Sequence, residues 1–211
     1  ILEAMGWDDI ATPTGYLGST VFGLVVPILT VIFAIAVGTR FFAGDEEAGT
    51  MELTLTHPVS RTSLVLQRSG AALLAGLGAG VVVSVAVMGL AGPVGLDVPA
   101  SRIIAASFSL GLLAVAFAML AIALGAWIGK RGIVLGVCSA VAVFAYFAST
   151  VLTTVDGFEW VDKTSLFFYY GGQQILESGL SIGNVVVLLI VSVVLLVAAV
   201  IGFQRRDIGV G

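Results

Sequence analysis

Five long apolar runs, parted by short polar stretches, dominate the chain, near Leu17–Gly38, Gly70–Gly92, Ile103–Gly129, Ile133–Val155 and Val185–Phe203. Each is close to or above the roughly 20 residues of helix that cross a bilayer. None carries Asp, Glu, Lys, Arg or His in its core. Helices buried in a water-soluble core would show a polar face at helical period, and these runs show none. The pattern predicts an all-α integral membrane protein, a single transmembrane domain over residues 1–211 built on a five-helix bundle. Composition agrees: 59% of the 211 residues are apolar and mean hydropathy is +1.14.

Charge sets the expected orientation. Of nine Lys and Arg residues, Arg40, Arg61, Arg68, Lys130, Arg131, Arg205 and Arg206 fall on one side of a five-span arrangement, and Arg102 and Lys163 on the other. Basic residues accumulate on the cytoplasmic side, so the C-terminus is expected in the cytoplasm and the first residues outside. The chain starts at Ile1, and nothing before Glu3, Asp8 and Asp9 would carry them across a membrane. We therefore expect a missing upstream span and six spans in the full protein. Acidic residues gather on the expected outer side (Asp97, Asp156, Glu159, Asp162 and Glu177 among them), which argues against a nucleic-acid partner there.

Two polar segments stand out. The first, 41–67, is too long and too patterned for a simple turn and suits a docking surface for a soluble partner; an ordinary amphipathic loop helix on the membrane is the plainer alternative. Asp45 is placed to cap a short helix, with Glu46 and Glu47 in its opening turn and Met51 and Leu55 as an apolar stripe four residues apart. After Pro58, Ser60 is placed to cap a second helix running through Leu64–Leu66 into the next span. The second segment, 156–183, is rich in aromatic residues, including Phe158, Trp160, Phe167, Phe168, Tyr169 and Tyr170. It reads as one or two short helices capping the outer interface.

Within the runs, Pro27 removes one backbone donor, so a neighbouring group must serve the freed carbonyl. Gly76, Gly78 and Gly80 thin the second span, and Gly125–Gly129 and Gly132–Gly136 repeat the small-xxx-small spacing of close helix packing.

Little in the chain suggests chemistry of its own. Gly125-Ala126-Trp127-Ile128-Gly129-Lys130-Arg131 is one residue short of a phosphate-binding loop and lacks its hydroxyl residue. His57 has no partner at metal or triad spacing, and Cys138 suits a small core position. Proton-coupled carriers keep a titratable residue inside the bundle, and these spans have none. No catalytic, cofactor or metal site is expected, and transport would need energy from elsewhere.

Asp45-Glu46-Glu47-Ala48-Gly49-Thr50-Met51-Glu52-Leu53, followed by His57-Pro58-Val59-Ser60-Arg61, resembles the E-x-x-G-T-x-E-x-L…P-V-S-R signature of ABC-2 type permeases. Phe203-Gln204-Arg205-Arg206-Asp207-Ile208 is similar to that family's F-x-R-R-D-[LI] ending. The resemblance implies the membrane subunit of a prokaryotic ABC exporter in the plasma membrane. It would pair with a second permease, identical or homologous, and with two copies of an ATP-binding subunit that carry the ATP and Mg. It implies docking of that subunit through Glu46, Glu47, Gly49, Thr50, Met51, Glu52, Leu55 and Arg61. A translocation path along the first and fourth spans would be lined by Phe22, Pro27, Phe33, Phe144 and Phe147. A hydrophobic or amphipathic cargo (a drug, antibiotic or lipid) follows from an uncharged bundle. The alternatives are a non-transporting scaffold or regulatory membrane protein, and a membrane-bound enzyme whose catalytic residues lie upstream.

Overall fold

The computed structural model describes residue 15 and residues 17–49, 60–94, 98–150 and 162–206, with the side chains of 91–94 left aside. Among these residues there is no strand, and five helices are long and apolar enough to cross a membrane. They are α1 (Leu17–Glu47), α2 (Arg61–Val94), α3 (Ala100–Ile128), α4 (Arg131–Thr150) and α7 (Ile182–Arg205). Two short helices, α5 (Leu166–Tyr170) and α6 (Gly172–Ser178), lie between α4 and α7.

The bundle is organised around α3. Its apolar window is 78% buried, against 39% or less for the other four, and α1, α2, α4, α6 and α7 all pack on it. Small residues allow this. Gly76 and Gly80 of α2, one turn apart, lie against the α3 backbone: a Cβ on Gly76 would stand 2.8 Å from Val115 Cγ2, and one on Gly80 would meet the Ser107 carbonyl. The close approach expected of the second span is therefore real at Gly76 and Gly80, whereas Gly78 faces open space. At the Gly132–Gly136 repeat the expectation fails. A Cβ on either meets nothing within 4 Å, because α4 turns Val134 and Cys138 inward and these glycines outward. Cys138 is fully buried with a free thiol, the core position expected of it.

The outer faces of the peripheral helices carry exposed large apolar residues such as Leu29, Ile32, Leu74, Val82, Val143 and Ile190. A water-soluble protein rarely leaves so much contiguous apolar surface bare; hydrocarbon is the natural solvent for it.

Chain alternation gathers Arg40, Arg61, Arg68, Lys130, Arg131, Arg205 and Arg206 at one end of the bundle, here the basic end. The opposite, aromatic end is closed by α5 and α6. Ser165 caps α5 by accepting the Phe167 N–H (3.1 Å), and Gly171, with φ 56°, turns the chain into α6. Phe167, Tyr170, Ile175 and Leu176 are buried beneath this cap.

Helix limits differ from the apolar runs where polar residues continue a helix. α1 does not stop at Gly38 but runs on through a π-helical stretch (Arg40–Gly44) to Glu47. Asp45 therefore begins no new helix. The residue before it, Gly44, is already helical, so the predicted N-cap is instead the last turn of α1. The second expectation holds: Ser60 Oγ accepts the Ser63 N–H (3.2 Å), and α2 runs unbroken from Arg61 into the span.

Candidate functional site

Two places on α1 bring the chemistry together. The first is the aromatic-end half of the helix, around Pro27. Residues Leu17–Val25 form a π-helix that gives way to α-helix at Val26, with Pro27 in the first turn. Proline brings no N–H to the carbonyls it would serve, Gly23 in an α register and Phe22 in a π register. Both receive a tyrosine hydroxyl instead. Tyr170 Oη donates to Phe22 O (2.9 Å) and Tyr146 Oη to Gly23 O (3.3 Å). The neighbour that Pro27 requires is thus supplied twice. Burial pushes the Tyr170 phenol above its ordinary pKa, so it stays a neutral donor.

Beside this point α1 and α4 part to leave an apolar cleft of about 350 Å³. Val31, Ile32 and Ile35 line one wall and Leu135, Ala142 and Phe147 the other, with Ser139 and Tyr146 the polar side chains in the lining. A more open, more polar hollow of about 330 Å³ lies at the aromatic end and shares Tyr146 and Phe167 with it. Of the residues named for a translocation path, Phe147 lines the apolar cleft and Phe22 the polar hollow. Phe22 itself is completely buried, Pro27 is buried, and Phe33 and Phe144 stand on the exposed surface.

The second place is the basic end of α1. Arg206 forks onto Glu46, Nη1 to Oε2 at 2.9 Å and Nη2 to Oε1. Arg68 pairs with Asp45 at 2.8 Å. Glu47 Oε1 accepts the backbone N–H of Arg131 (3.0 Å), the first residue of α4. Acidic residues are unfavourable at a helix C-terminus and favourable at an N-terminus. Here three acids end α1, and the two arginines together with the α4 N-terminus compensate them. Arg61 donates to the carbonyls of Phe203 (3.1 Å) and Arg206 (2.6 Å). Beneath the ion pairs Phe42 and Phe203 meet edge to face with centroids 5.1 Å apart, Arg68 lying over the first ring and Arg61 over the second.

Gly129 makes this arrangement possible. It ends α3 in the left-handed region (φ 68°), and a Cβ there would overlap both the Arg206 guanidinium and the Glu46 carboxylate.

Of the residues named for docking, Glu46, Glu47 and Arg61 are thus engaged within the chain, Glu47 from an exposed position, and Gly49 is exposed. Thr50, Met51, Glu52 and Leu55 lie outside the described residues. Sequence reasoning missed Tyr146, Tyr170, Arg68 and the role of Arg206. The first pair was discoverable in principle, since Pro27 demands a donor. The second needed only the thought that Asp45–Glu47 and Arg205–Arg206 end spans on the same side. No group of three or more His, Cys, Asp or Glu that could hold a metal occurs among the described residues.

A family model described as ABC-2 family transporter protein matches residues 2–208. No curated protein matches the chain.

Proposed function

Because the chain belongs to the ABC-2 transporter family, as a match across nearly its whole length shows, we propose that it is the permease subunit of an ATP-driven exporter for a hydrophobic or amphipathic compound. The observation that carries the cargo class is the cleft between α1 and α4, whose lining is apolar apart from one serine and one tyrosine hydroxyl. A ligand there gains from apolar burial and finds no fixed charge. The basic end faces the cytoplasm of a prokaryotic cell on this reading, as the distribution of Arg and Lys favours.

Two ATP-binding subunits, which carry the ATP and Mg, dock on segment 41–67. A second permease, identical or homologous, completes the translocation path. ATP binding on the partner subunits then moves the α1 and α4 walls, and the permease itself does no chemistry.

Affinity purification of the full-length protein from its own host, with identification of the ATP-binding subunit that co-purifies, tests the proposal. The expected result is a stable complex whose ATPase activity is stimulated by a lipophilic dye such as Hoechst 33342. Glu52→Arg should cut recovery of the ATP-binding subunit several-fold without lowering the amount of permease in the membrane. Undiminished recovery with Glu52→Arg would overturn the docking assignment. A wild-type permease that retains no ATP-binding subunit would overturn the transporter reading.

A further inference from the structure

We infer that the Glu46–Arg206 fork is a releasable latch, with Arg206 a positioning residue that fastens the basic end of α1 to the end of α7, and that its release lets α1 swing about Pro27, away from α4, and open the apolar cleft. The inference rests on the transporter reading only for its purpose; the geometry stands without it.

Three observations converge. The cleft lies between two helices that are fastened to one another at both extremities. At the aromatic end Tyr146 of α4 donates to Gly23 of α1, and at the basic end Glu47 of α1 accepts from Arg131 of α4. The part of α1 between these ties is flanked by π-helical stretches, Leu17–Val25 and Arg40–Gly44. Such stretches break the regular hydrogen-bond ladder and mark places where helices bend. Finally, the two extremities differ in how easily they let go. The Pro27 end is held by neutral groups, a buried hydroxyl bond from Tyr170 and a part-buried one from Tyr146. At the other end the Glu46 and Arg206 side chains each remain 25% exposed, within reach of water and of a competing charge.

Arg206 belongs to none of the cleft's walls. It follows the last residue of α7, and its own carbonyl is held by Arg61 at the start of α2. The latch therefore ties the end of α1 to the end of α7 and, through Arg61, to the start of α2. Residue 47 is where α1 hands the chain to that segment. A partner that pulls on the segment, or offers Glu46 another cation, acts directly on the latch.

The test measures water access to the cleft from the basic end. Ser139 lines the cleft eight residues beyond Arg131, about 12 Å along α4. Ser139→Cys in a Cys138→Ala background is treated with a membrane-impermeant maleimide in inside-out vesicles carrying the complex. Arg206→Glu and Glu46→Arg should each raise the labelling rate about tenfold, the shift in open population expected when a latch of this kind is lost. Glu46→Gln, a milder change, should raise it by less. The double exchange Glu46→Arg with Arg206→Glu should return the rate toward that of the parent, which a generally loosened bundle would not do. Unchanged labelling in all single variants, or a double variant as reactive as the singles, overturns the latch. Recovery of the ATP-binding subunit with the parent protein judges the transporter reading separately, so the two failures are distinguishable.

Discussion

Towards its Leu17 end the carbonyls of α1 accept neutral phenol hydroxyls, one of these bonds fully buried and the other part-buried, whereas at its Glu47 end α1 is fastened by carboxylates to arginines that water still reaches. The difference is one of cost as well as chemistry. Removing a hydroxyl from a buried carbonyl leaves a polar group with no alternative partner. Removing half of a part-exposed ion pair leaves a charge that water can solvate. One helix thus has a fixed end and a releasable end, and the apolar cleft lies between them.

The largest expected effect is at the fixed end. Tyr170→Phe should destabilise the protein by about 1–3 kcal/mol, the usual cost of an unsatisfied buried acceptor, read as a lower midpoint of thermal unfolding in detergent. Pro27→Ala restores an N–H to α1, so the same Tyr170→Phe change should cost measurably less in that background, with a coupling of about 0.5 kcal/mol or more. Equal costs in the two backgrounds would show that the tyrosine does not serve the carbonyls freed by proline. The contrast between the two ends would then lose its basis.

At the releasable end Gly129→Ala should come next. A left-handed backbone costs a non-glycine residue about 1–2 kcal/mol, and the added methyl also displaces the Glu46–Arg206 fork. Both consequences are separable. The lower unfolding midpoint reports the strain, while faster labelling of Ser139→Cys reports the lost latch. Strain without faster labelling would mean that the fork is not what keeps the cleft shut.

How far the sequence foretold these features depends on whether the determinant was local. The five spans are visible because each is a continuous apolar run, and Ser60 is visible as a cap because it lies three residues from the N–H it accepts. The central place of α3 is not visible. Its run is no more apolar than that of α7, and what selects it is the packing of Gly76 and Gly80 from another helix. Asp45, Glu46 and Glu47 suit an N-terminal turn by sequence, because acids stabilise helix N-termini. The physics was right and the helix wrong, for Glu47 serves the N-terminus of α4, 84 residues further along. Arg206 lies 160 residues from Glu46, and no spacing rule joins them. The family resemblance named the segment and the C-terminal ending separately without saying that they touch.

A smaller effect tests the third strand of the basic end. Glu47→Ala removes the acceptor at the first N–H of α4 and should cost about 1 kcal/mol, as loss of a capping side chain does. Glu47→Gln keeps an amide oxygen in reach and should recover most of that stability while losing the favourable charge at the helix terminus. If Gln is as damaging as Ala, charge rather than hydrogen bonding holds α1 to α4. The releasable end would then be purely electrostatic.

The smallest effect separates the two ends most cleanly because it changes no residue. Raising salt from 0.1 M to 1 M shortens the screening length from about 10 Å to about 3 Å. Part-exposed ion pairs at the basic end should weaken by a fraction of a kcal/mol, and labelling of Ser139→Cys should rise about twofold. Hydroxyl bonds at the Pro27 end carry no net charge and should not respond, so a cysteine placed at Ser149, which lines the hollow at the aromatic end, should label at the same rate in both salts when the maleimide is added to right-side-out vesicles. A parallel rise at both positions would mean that salt loosens the bundle as a whole, and the distinction between a fixed and a releasable end would fail. A rise confined to Ser139→Cys that disappears in the Arg206→Glu variant would trace the salt response to the fork itself, since that variant has already lost the attraction that salt would screen.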